Sequence, residues 1–157
     1  MSDTLIAPVR QQGTFCSSVK ADAWSARSAE KAFEWWYFDA LSDDGREAVV
    51  IVFADNYIFS PRYAAPSETS DETPKRFPAI SFIYSVDGKQ IFRTINEYSD
   101  RHFRANTEAA ECTIGDSSFC VDTASYGSGY LVTLDLPVSP NRRLARMNSQ
   151  TPAPAGQ

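Results

Sequence analysis

Three carboxylates sit in the most aromatic stretch of the chain. Glu34 directly precedes Trp35-Trp36-Tyr37-Phe38, Asp39 directly follows it, and Asp55 comes just after Phe53-Ala54. A carboxyl surrounded by aromatic groups is harder to ionise than one in water, so it can hold a proton near neutral pH and act as an acid. Trp and Tyr faces stabilise a neighbouring cation through the ring quadrupole. The competing reading is structural. Buried carboxylates are usually paired, so Glu34 and Asp55 would close their strands on backbone or indole N–H groups, and Asp39 would anchor a turn.

The elements that position these groups read as a β-hairpin. Bulky aromatics in EWWYFDA and the β-branched run Val49–Phe53 favour a pleated surface. Between them Asp44-Gly45 is the dipeptide of a tight turn, since Gly takes positive φ without strain. With those two at the centre, Leu41 falls opposite Ala48, Phe38 opposite Ile51, Trp36 opposite Phe53 and Glu34 opposite Asp55. Alternation then puts Trp36, Phe38 and Phe53 on one face, with Trp35, Tyr37 and Val52 on the other. Both faces are largely apolar, which predicts cover on both sides, as in a barrel with an apolar interior and packed exterior.

The first 33 residues show no sustained period and read as an extended or loop segment. Residues 34–140 form a β domain: after the first hairpin comes a Pro-, Ser- and Thr-rich connection from Asn56 to Phe77, then hairpins around Asp87-Gly88 and Asp116-Ser117, then a strand over Gly129–Val138. In the third hairpin Ile114 would pair with Phe119 and Cys112 with Val121, which keeps Cys112 and Cys120 on opposite faces. With Cys16 these read as reduced packing residues without metal-ligand spacing. About seven strands and no long helix predict an all-β antiparallel meander. Residues 141–157 read as a polar tail, leaving the last strand an open edge.

Composition narrows the classes further. The chain has 157 residues, 43% of them hydrophobic, and a net charge of −5. The three Arg of the tail face no acid there, so the body is more acidic still, which argues against nucleic acid as a partner. No stretch reaches the ~20 apolar residues of a membrane span. The first residues, MSDTLIAPVRQQG, lack a basic start before an apolar run, so the expected location is cytoplasmic. His102 lies between Arg residues and reads as a surface group. Arg62, Lys75 and Arg76 read as solvated charges.

EWWYFDA, FADNYIFSPRY, the Asp87-Gly88 hairpin and GYLVTLDLPVSPNRRL, running from about Phe33 to Arg143, resemble the lipocalin-like family of carotenoid 1,2-hydratases (hydroxyneurosporene synthases). AttH-type proteins and fungal lipocalin-like Diels–Alderases are related groups. The resemblance implies a lipocalin-like antiparallel β-barrel or sandwich built of hairpins, incomplete here. Family members are longer, with two consecutive β-rich halves, and this chain looks like the first. Further acid–base candidates, His and Asp among them, are expected in the second.

The implied chemistry is addition of water to the terminal alkene of an acyclic carotenoid by acid catalysis. Glu34 and Asp55 would be the catalytic carboxyls, and Trp35, Trp36, Tyr37, Phe38, Phe53 and Tyr57 the substrate-binding groups. No metal or organic cofactor is implied. The expected partners are an apolar small molecule, a membrane surface giving access to it, and the second half of the fold or another chain. Two alternatives remain: a non-catalytic lipocalin-like carrier, and a cyclase-like protein acting by shape alone.

Overall fold

A computed structural model describes residues 19–27, 32–64, 76–124, 127–137 and 147–152. The described residues form an antiparallel meander of nine strands in two sheets. The first sheet comprises β1 (Trp35–Leu41), β2 (Glu47–Ala54), β3 (Ala79–Val86) and β4 (Lys89–Glu97), in that order. The second comprises β5 (Phe103–Ala105), β6 (Glu111–Ile114), β7 (Ser117–Ala124), β8 (Gly127–Leu134) and β9 (Met147–Pro152). Among the described residues helix is confined to short turns, including α1 (Pro61–Ala64) and a 3-10 turn at Val19–Asp22. An all-β sandwich or incomplete barrel was the expected class, and the observed architecture agrees.

The first hairpin has the predicted register throughout, Leu41↔Ala48 to Trp35↔Ala54. Its turn is shifted: the Gly45 N–H donates to Ser42 O at 2.8 Å, so Asp43 and Asp44 are central and Gly45, at φ +68°, closes the loop. Asp44 rather than Asp39 ties this turn, accepting from Ser42 Oγ at 2.6 Å and Arg46 N at 3.0 Å. The second hairpin matches expectation, with Asp87 and Gly88 both at positive φ between the paired Val86 and Lys89. Such a two-residue turn carries the twist of its strands.

The third hairpin corrects the sequence register by two residues. Ile114 pairs with Ser117 and Cys112 with Phe119, leaving Gly115-Asp116 at the turn. Gly115 supplies the left-handed φ of +61°. Ser117 is buried, and its hydroxyl donates to Asp135 O and accepts from Asp135 N, which pins it inside the strand. A two-residue shift preserves side-chain faces. Cys112 is accordingly buried and Cys120 half-buried on the other side, both as free thiols; Cys16 lies outside the described residues.

Two further corrections concern edges and faces. Met147–Pro152, read from the sequence as tail, pairs with β8 and comes close to β1, so the last predicted strand is not an open edge. Cover on both sides of the first hairpin does not hold either. Trp36, Phe38, Ile51 and Phe53 face the second sheet and are buried, whereas Trp35 is 54% and Tyr37 58% exposed. Among the described residues the two inner faces pack side chain against side chain in one apolar core. Phe119 is its hub, with ring centroids 5.0–5.2 Å from Phe38, Trp36 and Phe53. Burying each such ring contributes about 1.5–3 kcal/mol.

Candidate functional site

The structure separates the predicted site residues into three places. Trp36, Phe38 and Phe53 belong to the core. Trp35, Tyr37 and Tyr57 line a groove on the outer face of the first sheet, and the carboxylates belong to a third location, at the end of the sandwich.

There the chain before β1 is fastened to the end of β2. Asp55 N–H donates to Glu34 O at 3.0 Å, and Glu34 N–H returns a bond to Asp55 Oδ1 at 2.6 Å. The Trp24 indole N–H donates to Asp55 Oδ2 at 3.1 Å. The Glu34 carboxylate accepts instead from Ser25 N–H at 3.1 Å. The two residues thus meet opposite one another, as the register predicts, but through backbone. Arg76 lies over the Trp24 ring at 4.3 Å, and Trp24 stacks edge-on against Phe103 at 5.2 Å. Arg76 is therefore a stacked cation and not the free surface charge expected. Arg62 is likewise engaged, and Lys75 lies outside the described residues.

Burial pushes the Asp55 carboxyl above the usual carboxylate range, against the pull of the N–H donors of Glu34, Trp24 and Asn56 and of the Arg76 charge. Burial, with the nearby Asp55 charge, also pushes the Cys112 thiol up. Trp36 Nε1–H donates to Asp22 O at 2.7 Å and Tyr130 donates its hydroxyl to the Asp22 carboxylate. All these contacts tether the Val19–Asp22 turn and its successor to the open end of the sheets. His102 is exposed, with Nδ1 3.0 Å from Ser99 Oγ, as a loop residue should be.

The groove encloses about 430 Å³ over the outer face of the first sheet. Its floor follows from register: Tyr37, Val52, Ser81 and Ile95 form one row across β1 to β4, and Trp35, Ala54 and Ala79 form part of the next. The Tyr57–Phe59 loop roofs one end, with the two rings edge-on at 5.7 Å. That loop is held from both sides. Asn56 Nδ2–H donates to Ala32 O, and its Oδ1 accepts from Phe77 N–H. Ser60 Oγ and Arg62 both donate to Glu97 Oε2, at 2.8 Å and 2.5 Å.

Sequence reasoning found the β1 side of this groove and missed Phe59, Arg93 and Ile95. The signal for the last two was the Ile91-Arg93-Ile95 alternation in β4. Among the described residues no group of three or more His, Cys, Asp or Glu could hold a metal ion. No described helix is long and apolar enough to cross a membrane.

Two curated proteins are similar to the chain. The acyclic carotenoid 1,2-hydratase of Rubrivivax gelatinosus is 34% identical over 104 residues, which cover 64% of this chain and 24% of that protein. The acyclic carotenoid 1,2-hydratase of Thiocapsa roseopersicina is 37% identical over 57 residues, covering 36% of this chain and 14% of that protein. The relationship is distant, and the matched residues span a quarter or less of either relative. No family model and no solved structure matches the chain.

Proposed function

We propose that the outer groove of the first sheet binds an elongated apolar ligand, in service of a reaction related to that of acyclic carotenoid 1,2-hydratases. The observation that carries this reading is the groove itself. Trp35 and Tyr37 are more than half exposed on a sheet face whose apolar neighbours form one continuous concavity under a pinned aromatic roof. Large apolar groups left open in a shaped pocket are the usual mark of a ligand site. The distant likeness to the two hydratases supplies the ligand class, an acyclic carotenoid.

Hydration of a terminal alkene puts a proton on one carbon and the oxygen of water on the other, which then loses a proton. Trp35, Tyr37 and Tyr57 present faces on which the intermediate tertiary cation is stabilised. Asp55 is the better acid candidate of the predicted pair, because burial raises its pKa. Neither Asp55 nor Glu34 lines the groove, however, and the carboxylates accept N–H bonds from Trp24, Glu34 and Ser25. Their geometry favours the structural role. That observation supports a second reading, retention of the apolar ligand without chemistry.

Incubation of the purified chain with an acyclic carotenoid in mild detergent separates the readings. Quenching of Trp emission that is lost in Trp35→Ala supports the groove as the binding site. A product one water heavier supports hydration, and unchanged carotenoid recovered from a quenched sample supports retention. Absence of quenching would overturn the groove assignment.

A further inference from the structure

Among the residues lining the groove, Arg93 carries the sole full charge. It sits on β4 opposite Ile83 and projects to the same outer face as Ile91 and Ile95. Three other cations around the first sheet have partners: Arg46 pairs with Asp87 at 2.9 Å, Arg62 with Glu97 at 2.5 Å, and Arg76 stacks on Trp24. Arg93 makes no hydrogen bond, ion pair or ring contact among the described residues. Glu97, on the same face of the same strand, accepts from Ser60 and Arg62 through Oε2 and makes no ion pair with Arg93. Asp39 shares its row but stands on β1, three strand spacings or about 14 Å away. The polar groups around Arg93 do not compete for it either, since the Asn56 amide is spent on Ala32 O and Phe77 N–H.

We propose that the groove selects amphipathic anions, namely long-chain carboxylates, whose apolar chain lies along Trp35, Tyr37 and Ile95 and whose carboxylate meets the Arg93 guanidinium. A guanidinium offers five N–H donors in a planar fork that fits a carboxylate in two parallel bonds. Arg93 is itself exposed, so the apolar lining beside it removes only part of the solvent from such a pair and strengthens it modestly. The selection deepens the apolar-ligand reading given above and rests on it. It adds a head-group preference that a neutral hydrocarbon does not satisfy.

The test uses the full chain and three ligands: palmitate, the neutral alcohol of the same chain length, and an acyclic carotenoid, each titrated by Trp emission below its micellar concentration. Palmitate is expected to bind about tenfold more tightly than the alcohol, the effect of one partly solvated charge-assisted contact. Arg93→Gln should abolish that difference, with circular dichroism confirming the fold. High salt should narrow the difference in the parent protein. Equal affinities for palmitate and the alcohol, or a preference that survives Arg93→Gln, would overturn the head-group selection while leaving the groove reading standing. Binding of none of the three would overturn both.

Discussion

The Trp24 indole N–H reaches across 31 positions of sequence to donate to the Asp55 carboxylate at 3.1 Å. This bond is one of those that connect the irregular chain ahead of the sheets to the end of β2. The other Asp55 oxygen accepts from Glu34 N–H. A carboxylate used twice in this way fixes the entry of β1, and therefore which face Trp35 and Trp36 each take. The chemistry suggested by the residue types gives way here to architecture: aromatic surroundings and a raised pKa are present, yet both oxygens are committed to positioning.

A pH dependence follows. Asp55 is raised above 3.8 in the folded state, so the folded chain holds that proton more tightly than the unfolded one. Its contribution to stability is then present below the unfolded pKa and lost as pH rises through the folded value. Asp44, Asp87 and Glu97 are shifted down and act in the opposite sense. Urea unfolding of the parent protein and Asp55→Asn, compared from about pH 3.5 to 7, isolates the Asp55 part. The parent's stability relative to the variant should fall with rising pH; a relative stability that rises with pH would contradict the assignment.

Core and groove should separate under mutation. Phe53 is fully buried and touches both Phe38 and Phe119, so Phe53→Ala should cost about 3–5 kcal/mol in denaturant unfolding. Trp35 is larger but more than half exposed. Trp35→Ala should cost under about 1 kcal/mol and yet remove most carotenoid-dependent quenching. Comparable stability losses in the two variants would place Trp35 in the core instead.

Alternation and turn chemistry made the first hairpin readable down to individual pairs and located the second at its Asp87-Gly88 turn, because apolar period and an Asp-Gly turn both constrain register. The third was ambiguous. Gly115-Asp116 and Asp116-Ser117 both make plausible turns, and both keep Cys112, Ile114 and Phe119 on one face. The decision lies in Ser117, whose hydroxyl bonds with Asp135, 18 residues away. Long-range polar contacts leave no local periodicity to read. For the same reason the sequence showed which residues share a face with Trp35 but not that this face stays uncovered. It likewise paired Glu34 with Asp55 without revealing that Trp24 would occupy the second carboxylate oxygen.

Gly115 offers a sharper check on the third hairpin. A Cβ there would lie 2.5 Å from Tyr98 Cε1, whereas one on Gly45 meets nothing within 4 Å. Both glycines have positive φ, so alanine strains the backbone at each, by about 1–2 kcal/mol. The ring clash adds to this only at Gly115, and Gly115→Ala should exceed Gly45→Ala by about 1 kcal/mol or more in urea unfolding. Equal costs would show that the Tyr98 ring is free to move aside. Tyr98→Phe keeps the ring and removes only its hydroxyl. The Tyr98 hydroxyl is buried without a hydrogen bond among the described residues, so its removal should leave stability unchanged or raise it by about 1 kcal/mol.

The groove roof depends on one shared acceptor. Glu97 Oε2 receives Ser60 Oγ–H and two Arg62 donors, and Arg62 also lies 5.1 Å over the Phe77 ring. Ser60 is 1% exposed, but the Arg62 and Glu97 side chains retain 49% and 27% exposure. Solvent screening therefore limits the ion pair to about 1 kcal/mol of stability or less. Its larger consequence is order in Tyr57–Phe59, which it anchors from the β4 side. Glu97→Gln keeps the Ser60 bond while weakening the Arg62 pair, and Ser60→Ala does the reverse. Each should lower ligand affinity several-fold through a faster off-rate, with unfolding midpoints nearly unchanged. Affinity equal to the parent in both variants, measured by stopped-flow Trp emission, would mean that the roof does not contribute to binding and that Trp35 and Tyr37 on the floor hold the ligand alone.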